Sequence, residues 1–396
     1  MKISVNALLL LILILLSGNL FAAEFNAIQI HGFISQGYVQ SNENNFFGYS
    51  KDGSFEMNEM ALNFGTMLTP KLRFGMQLLA KDLGSTGNDE LTIDYAFADY
   101  RFRNWLGFRA GKVKMDYGLY GKYWDIDSVR TYIFLPQGIY TTSFRDIIFA
   151  SKGAGVYGYV PGSWWGNLSY SLFYGTNELS EDGELAQFLE GRLNVSVTNL
   201  KMDHVINSAI EWEPPLEGLV LKYSFRNSGY DITAGNLFIY EHSETNTISF
   251  QYTLNNLKLG YEYSITRQRE KIDIPALNYH FGQHFEMAAF YGEIAYSFTE
   301  WFEAGCYYAE FWPNKDDKDG SNQVAKGFPA SNQWLKEKCL ALKFNINDFW
   351  SLKCEGHFMN GTAGMYMQIQ DKNPDNSWDV EENDWFLGAV KATFSF

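Results

Sequence analysis

The sequence is short of charge, of cysteine and of uninterrupted apolar stretches. Asp, Glu, Lys and Arg make up 19% of its 396 residues, which is lean for a water-soluble chain of this size. Cys306, Cys339 and Cys354 are the only cysteines, too few and of the wrong parity for a disulfide framework. Beyond residue 23 no apolar run is long enough for a membrane helix, so any insertion into a bilayer must use strands. Basic residues are outnumbered, 31 Lys and Arg against 46 Asp and Glu, and the formal net charge of -15 excludes a general affinity for nucleic-acid phosphate. Catalytic signatures are missing too. There is no G-x-S-x-G and no phosphate-binding glycine loop. His280 and His284 are four apart in a stretch that reads as a loop, with no helix to align them on a metal. The expectation is a non-enzyme with no metal and no cofactor.

Aromatic residues are what the chain has in quantity, at 17%, within a 46% hydrophobic content that rules out disorder. Lys2, the apolar run Ala7 to Leu16 and the small residues up to Ala23 form the three regions of a secretory signal peptide. The expected organisation is a leader over residues 1–23 and one domain over residues 24–396. That domain alternates. Phe386, Gly388, Val390, Ala392, Phe394 and Phe396 share one face, and Leu387, Ala389, Lys391, Thr393 and Ser395 the other. Similar alternation places Met60, Leu62 and Phe64 together, Leu72, Phe74, Met76 and Leu78 together, and Leu340, Leu342 and Phe344 together.

Tight breaks at Thr69-Pro70, Arg103-Asn104, Pro161-Gly162-Ser163, Glu213-Pro214-Pro215, Asn255-Asn256, Thr299-Glu300 and Asn347-Asp348 alternate with long polar stretches. These run from Ser41 to Ser54, Asp116 to Arg145, Thr176 to Lys201, Arg267 to Gln283, Asn314 to Gln333 and Gly361 to Glu382. Short turns at one end and long loops at the other are the wiring of an outer-membrane barrel. The fold class is therefore all-β: a transmembrane antiparallel β-barrel of about 16 strands. All nine prolines fall in the expected turns and loops. The pattern is weakest from Asn236 to Leu254, where Glu241-His242-Ser243-Glu244 interrupts it. Trp105, Trp165, Trp301, Trp350 and Trp385 lie near strand ends, suited to interfacial girdles.

The segments Ile30-His31-Gly32-Phe33-Ile34, Asp94 to Tyr100, Gly107 to Lys114 with Gly118-Leu119-Tyr120, and the terminal Phe396 resemble bacterial outer-membrane porins of the general trimeric and phosphate-selective-like branch. The resemblance covers nearly all of the mature chain. It implies a 16-stranded barrel in the outer membrane of a Gram-negative bacterium, a homotrimer, a third loop bent into the pore, and a terminal strand ending in Phe396 that the barrel assembly machinery recognises. The partners expected are outer-membrane lipid, that machinery, and small hydrophilic solutes or ions.

Ionisable strand residues should face the lumen, because an Arg or Lys facing lipid at the midplane costs about 2 to 4 kcal/mol. Arg73, Lys81, Arg109, Lys222, Arg226, Lys258, Lys343 and Lys353 then line the wall with Glu59, Asp94, Glu262, Glu293, Glu303 and Glu355. Arg109 and Lys112 cannot share a face of one regular strand, so a bulge intervenes or, as favoured here, the strand is already ending. The stretch Asp116 to Arg145 carries Asp116, Lys122, Asp125, Asp127, Arg130 and Arg145 among many rings, more than an exposed loop needs. Folded inward, it would set Asp125 and Asp127 opposite Arg73 and Arg109 across a constriction. With acids crowded in the loops, a weak cation preference follows. The functional expectation is passive diffusion of small hydrophilic solutes and ions. The alternatives are a phosphate- or anion-selective porin, a barrel serving surface adhesion or recognition, and a barrel hydrolase. Alternation also places Cys339 on the lumen face and Cys306 and Cys354 on the lipid face, too far apart to bridge to it.

Overall fold

The computed structural model describes residues 28–46, 50–84, 89–179, 186, 195–364 and 383–396. The expected leader and the acids at 181, 182, 184, 379, 381 and 382 lie outside them. Among the described residues sixteen strands follow one another: β1 (Gln29–Ser41), β2 (Asn58–Thr69), β3 (Leu72–Asp82), β4 (Thr92–Arg103), β5 (Leu106–Lys114), β6 (Ala150–Gly162), β7 (Gly166–Glu178), β8 (Val197–Glu213), β9 (Leu219–Ala234), β10 (Leu237–Leu254), β11 (Leu257–Ile274), β12 (Tyr279–Ser297), β13 (Phe302–Trp312), β14 (Leu335–Asn345), β15 (Trp350–Gly361) and β16 (Asp384–Ser395). Each pairs antiparallel with the next, and β16 pairs with β1, so the sheet closes and leaves no edge.

Alternation in the sequence becomes inside and outside. In β14, Leu335, Glu337, Cys339, Ala341 and Lys343 are buried, while Leu340 and Leu342 between them are exposed. Ile34, Met60, Phe108, Leu172, Ile210, Ile248 and Phe358 extend the exposed apolar surface around the wall, and the inner face carries the polar rows. A closed sheet that is apolar outside and polar inside is built to sit in a bilayer. Trp105, Trp301 and Trp350 are exposed at the short-turn end, as a girdle requires. Trp385 is not part of it: it is buried inside the barrel, and its Nε1 donates to the Gly361 carbonyl at 3.2 Å. Cys339 faces inward, Cys306 and Cys354 lie on the other face, and all three are free thiols.

The alternation of short and long connections breaks at two points on the long-loop end: β9 and β10 join through Gly235 and Asn236, and β11 and β12 through a short turn from Pro275 to Asn278. The polar stretch from Arg267 to Gln283 is thus strand rather than loop. β10, β11 and β12 have 18, 18 and 19 residues, whereas crossing a bilayer takes about 9 to 11. Their far ends therefore rise above the hydrocarbon, where the outer face meets water in place of lipid and period-two patterning weakens. Arg267 bridges Glu244 and Glu286 on the outer face there, and His280 and His284 lie on β12 in the same exposed ribbon. The Glu241–Glu244 interruption is likewise continuous strand in β10.

Two local readings also change. β5 runs on through Lys114 with an unbroken register at Gly111 and Lys112, so Arg109 and Lys112 simply occupy opposite faces, and Lys112 Nζ donates to the Ile93 carbonyl. Pro161 sits inside β6, one residue from its end, where a missing N–H is tolerated.

A stitched segment inside the barrel

Between β5 and β6 the chain turns into the lumen. The reason is compositional. Residues 115–149 carry rings that would be costly to leave in water, and inside they stack: Tyr140 lies 5.5 Å from Tyr117, 5.8 Å from Tyr120 and 5.6 Å from Trp124, and Tyr132 packs edge-on to Tyr307 of β13 at 4.9 Å. Tyr132, Tyr140 and Met115 are fully buried. Gly118 makes the inward bend at φ +54°, and a Cβ there would strike the Tyr140 hydroxyl at 2.3 Å.

Polar anchors run from β4 around to β16. Asp116 receives Lys222 and Lys122, each at 2.6 Å, and Ser171 Oγ at 2.9 Å. Burial alone would raise its carboxyl pKa, but the two ammonium groups hold it down at about 2. Glu262 accepts the Leu119 N–H at 2.8 Å and the Tyr140 and Tyr291 hydroxyls at 2.5 and 2.8 Å. Glu293 accepts the Tyr120 hydroxyl at 2.6 Å, with Lys258 beside both. Asp127 is buried against Lys353 (3.1 Å), Lys391 (3.4 Å) and Arg130 (3.7 Å). Its carboxyl is held far below the usual range by these cations against the opposing effect of burial. Lys343 donates to the Ser128 carbonyl at 2.6 Å, Thr131 to Glu303 at 2.5 Å, and Arg145 grips Asp94 through two bonds at 2.8 and 2.9 Å. Glu355 accepts the N–H groups of Ile133 and Phe134 at 2.7 and 2.9 Å.

Of the residues singled out from sequence, Asp116, Asp125, Asp127, Arg130, Asp94, Glu262, Glu293, Lys222, Lys258 and Lys343 thus meet in or against this segment. Glu59 reaches it through Lys391, at 2.7 Å, and Lys81 is buried in the wall of β3. Asp125 and Asp127 do not stand across open space from Arg73 and Arg109. Asp125 pairs with Lys114 at 2.7 Å, and Arg109 turns to Asp99 on the adjacent strand at 2.6 Å, between the rings of Phe97 and Tyr157. Arg73 faces the lumen near the short-turn end with no ion pair among the described residues. Asp99 sits opposite Arg109 on the adjacent strand, and Asp125 is only eleven positions along the chain from Lys114, so each cation meets a nearby acid before one across the lumen.

Several anchors escaped the sequence reading. Asn207 accepts the Asp116 N–H, Ser224 the Gly118 N–H, Lys391 and Thr393 hold Asp127, and His357 is fixed between Glu337 (2.7 Å) and Glu355 (2.9 Å). Their inward phase was visible, but their partners were not. Cys339, Glu355 and His357 place one possible ligand atom each within 4.8 Å of the others. Both His357 nitrogens already face carboxylates and Glu355 is spent on two backbone N–H groups, so hydrogen bonding accounts for the set.

No protein-family model and no curated protein matches the sequence. Solved structures do match. OmpF of Salmonella typhi, in complex with daunomycin, is 13% identical with a TM-score of 0.57 over 95% of this chain and 99% of that one. The outer-membrane channel DcaP of Acinetobacter baumannii is 12% identical with a TM-score of 0.55 over 93% and 97%. The anion-selective porin from Comamonas acidovorans is 13% identical with a TM-score of 0.53 over 93% and 99%. The likeness is one of fold: a bacterial outer-membrane porin barrel. The apolar band and the polar lumen agree with it in fitting the chain to span a membrane as a closed barrel.

Proposed function

We propose that the protein is a passive diffusion channel for small hydrophilic solutes and ions, narrowed by the segment 115–149. The observation that carries this reading is the distribution of the anchors. Bonds to inward side chains from β4 to β16 hold the segment at a fixed cross-section, as a permanent restriction needs, whereas a surface-recognition loop would project outward. The anion-selective alternative draws support from Arg73, which meets the lumen without a carboxylate, while the acids of the segment are neutralised in ion pairs. Assembly as a homotrimer, removal of residues 1–23 on export, and recognition of Phe396 by the barrel assembly machinery complete the proposal. Swelling of liposomes containing the purified protein, in uncharged sugars of increasing size, tests it: rates should fall steeply with solute size. Absence of swelling in the smallest sugar would remove the channel reading.

A further inference from the structure

Most buried cations of the lumen are ion-paired, but among the described residues Lys343, which donates to the Ser128 carbonyl, and Arg226 meet no carboxylate within 4.0 Å. Arg145, Lys222, Lys353 and Lys391 are buried and each meets a carboxylate within 4.0 Å. Arg226, on the inner face of β9, is 8% exposed and meets none among the described residues. Its one hydrogen bond runs from Nη2 to the Ile147 carbonyl at 3.1 Å, although a guanidinium offers five N–H donors in a fork matched to a carboxylate. A buried cation without a counter-charge is unfavourable unless something supplies one. Nearby, the buried Tyr117 hydroxyl has no hydrogen-bond partner among the described residues.

Both residues line one cavity of about 490 Å³ between the inner segment and the upper halves of β9 to β12, within the range of small-molecule sites. Its segment side carries Ile139, Phe144 and Ile148 beside the polar Gln137 and Thr141, and Ile232, Phe285 and Met287 face them from the wall. Next to Arg226 the wall turns to hydroxyls, Ser228 on the same strand and Thr245 opposite in register. Glu262, deeper down, is already taken up by Ser249, Tyr140, Tyr291 and the Leu119 N–H. Glu241 and Glu270 lie toward the long-loop mouth and accept from Gln268 and Gln283.

We propose that Arg226 and this cavity form a binding site for a monocarboxylate with an apolar body, the carboxylate on the guanidinium and the body against Phe144 and Ile148. Arg226 is the one cation in the lining of this cavity, and among the described residues it has no carboxylate, which calls for one negative charge. The two acids above it disfavour a second, so dicarboxylates are excluded. The inference deepens the channel reading and depends on it for the solute's route, but the site itself can be measured without conduction.

Benzoate is the probe, titrated calorimetrically into the detergent-folded full chain, with folding checked by heat-modifiable gel mobility. Benzoate should bind, and benzyl alcohol, acetate and terephthalate should each bind at least roughly tenfold more weakly, as expected when charge and body both contribute. Arg226→Gln should weaken benzoate by roughly tenfold or more. Phe144→Ala, which removes no hydrogen bond, keeps the test valid if Arg226→Gln fails to fold, and should weaken benzoate several-fold. Benzoate that does not bind, binds no better than benzyl alcohol, or binds both variants as tightly as the parent overturns the site. Bilayer recordings run alongside separate the two claims: binding without currents removes the channel and leaves the site, and currents without binding do the reverse.

Discussion

Asp127 and Lys353 lie 3.1 Å apart although 226 residues separate them in the chain, and the same lysine also donates to the Asp127 carbonyl at 2.7 Å. With Lys391, Arg130 and Thr393 converging on the same carboxylate, this is the densest anchor of the inner segment. Asp127→Asn leaves buried cations without a counter-charge, a change that costs about 3 to 5 kcal/mol in comparable pairs. The variant barrel should still form, since strand pairing is untouched, but residues 115–149 should become cleavable by protease added to folded protein, with noisier currents. Protection equal to the parent's would mean that the remaining anchors suffice.

Asp116 gives a pH dependence of definite sign. Its folded value of about 2 lies below the ordinary 3.8, so its pairing with Lys222 and Lys122 stabilises fully above about pH 4 and is lost as pH falls toward 2, a difference of about 2 kcal/mol. Hydrogen exchange of the inner segment should accelerate over that window, and Asp116→Asn should remove this component while lowering protection at neutral pH. Acceleration beginning near pH 6 would point to a different group.

Ion preference should follow exposed charges rather than buried pairs. The Asp125 side chain is 3% exposed and bonded to Lys114, so the double change Asp125→Leu with Lys114→Met should leave the reversal potential across a salt gradient near the parent value. Arg73→Gln, which removes an unpaired cation from the lumen, should move it toward cation preference by a few millivolts, less at high salt. A large shift from the first variant would return Asp125 to the pore.

Phe396 closes the barrel. It exchanges both backbone bonds with Gly32 at 3.0 Å, and its ring covers that glycine so closely that a Cβ would fall 2.7 Å from it. Deleting Phe396 should lower the yield of heat-modifiable protein in the outer membrane, and Phe396→Tyr should restore most of it. Equal yields from the deletion and the parent would remove the assembly role and leave only the closure contact.

Much of the barrel was legible because a membrane imposes period two on every strand that crosses it: β14 and β16 show their inner and outer faces in the bare sequence. Above the hydrocarbon that constraint ends, and so the far ends of β11 and β12 read as a polar loop and β10 as an interrupted pattern. The inner segment was legible from its density of rings and charges, and most of its wall contacts from inward phase. Pair identities were not, because Asp125 could choose Lys114, and Arg109 could choose Asp99, only once sheet register and the inward turn fixed distances. Arg226 shows the same limit: sequence placed it on the wall, and only its surroundings reveal that among the described residues it meets no carboxylate.

The central claim, a permanently open passage narrowed by a stitched inner segment, is tested most directly by single-channel recording of purified, folded protein in planar bilayers. Stepwise, long-lived open currents are expected, with a uniform unit conductance that does not require a ligand or a voltage threshold. Bilayers that stay silent at doses where the barrel is demonstrably folded and inserted would contradict it.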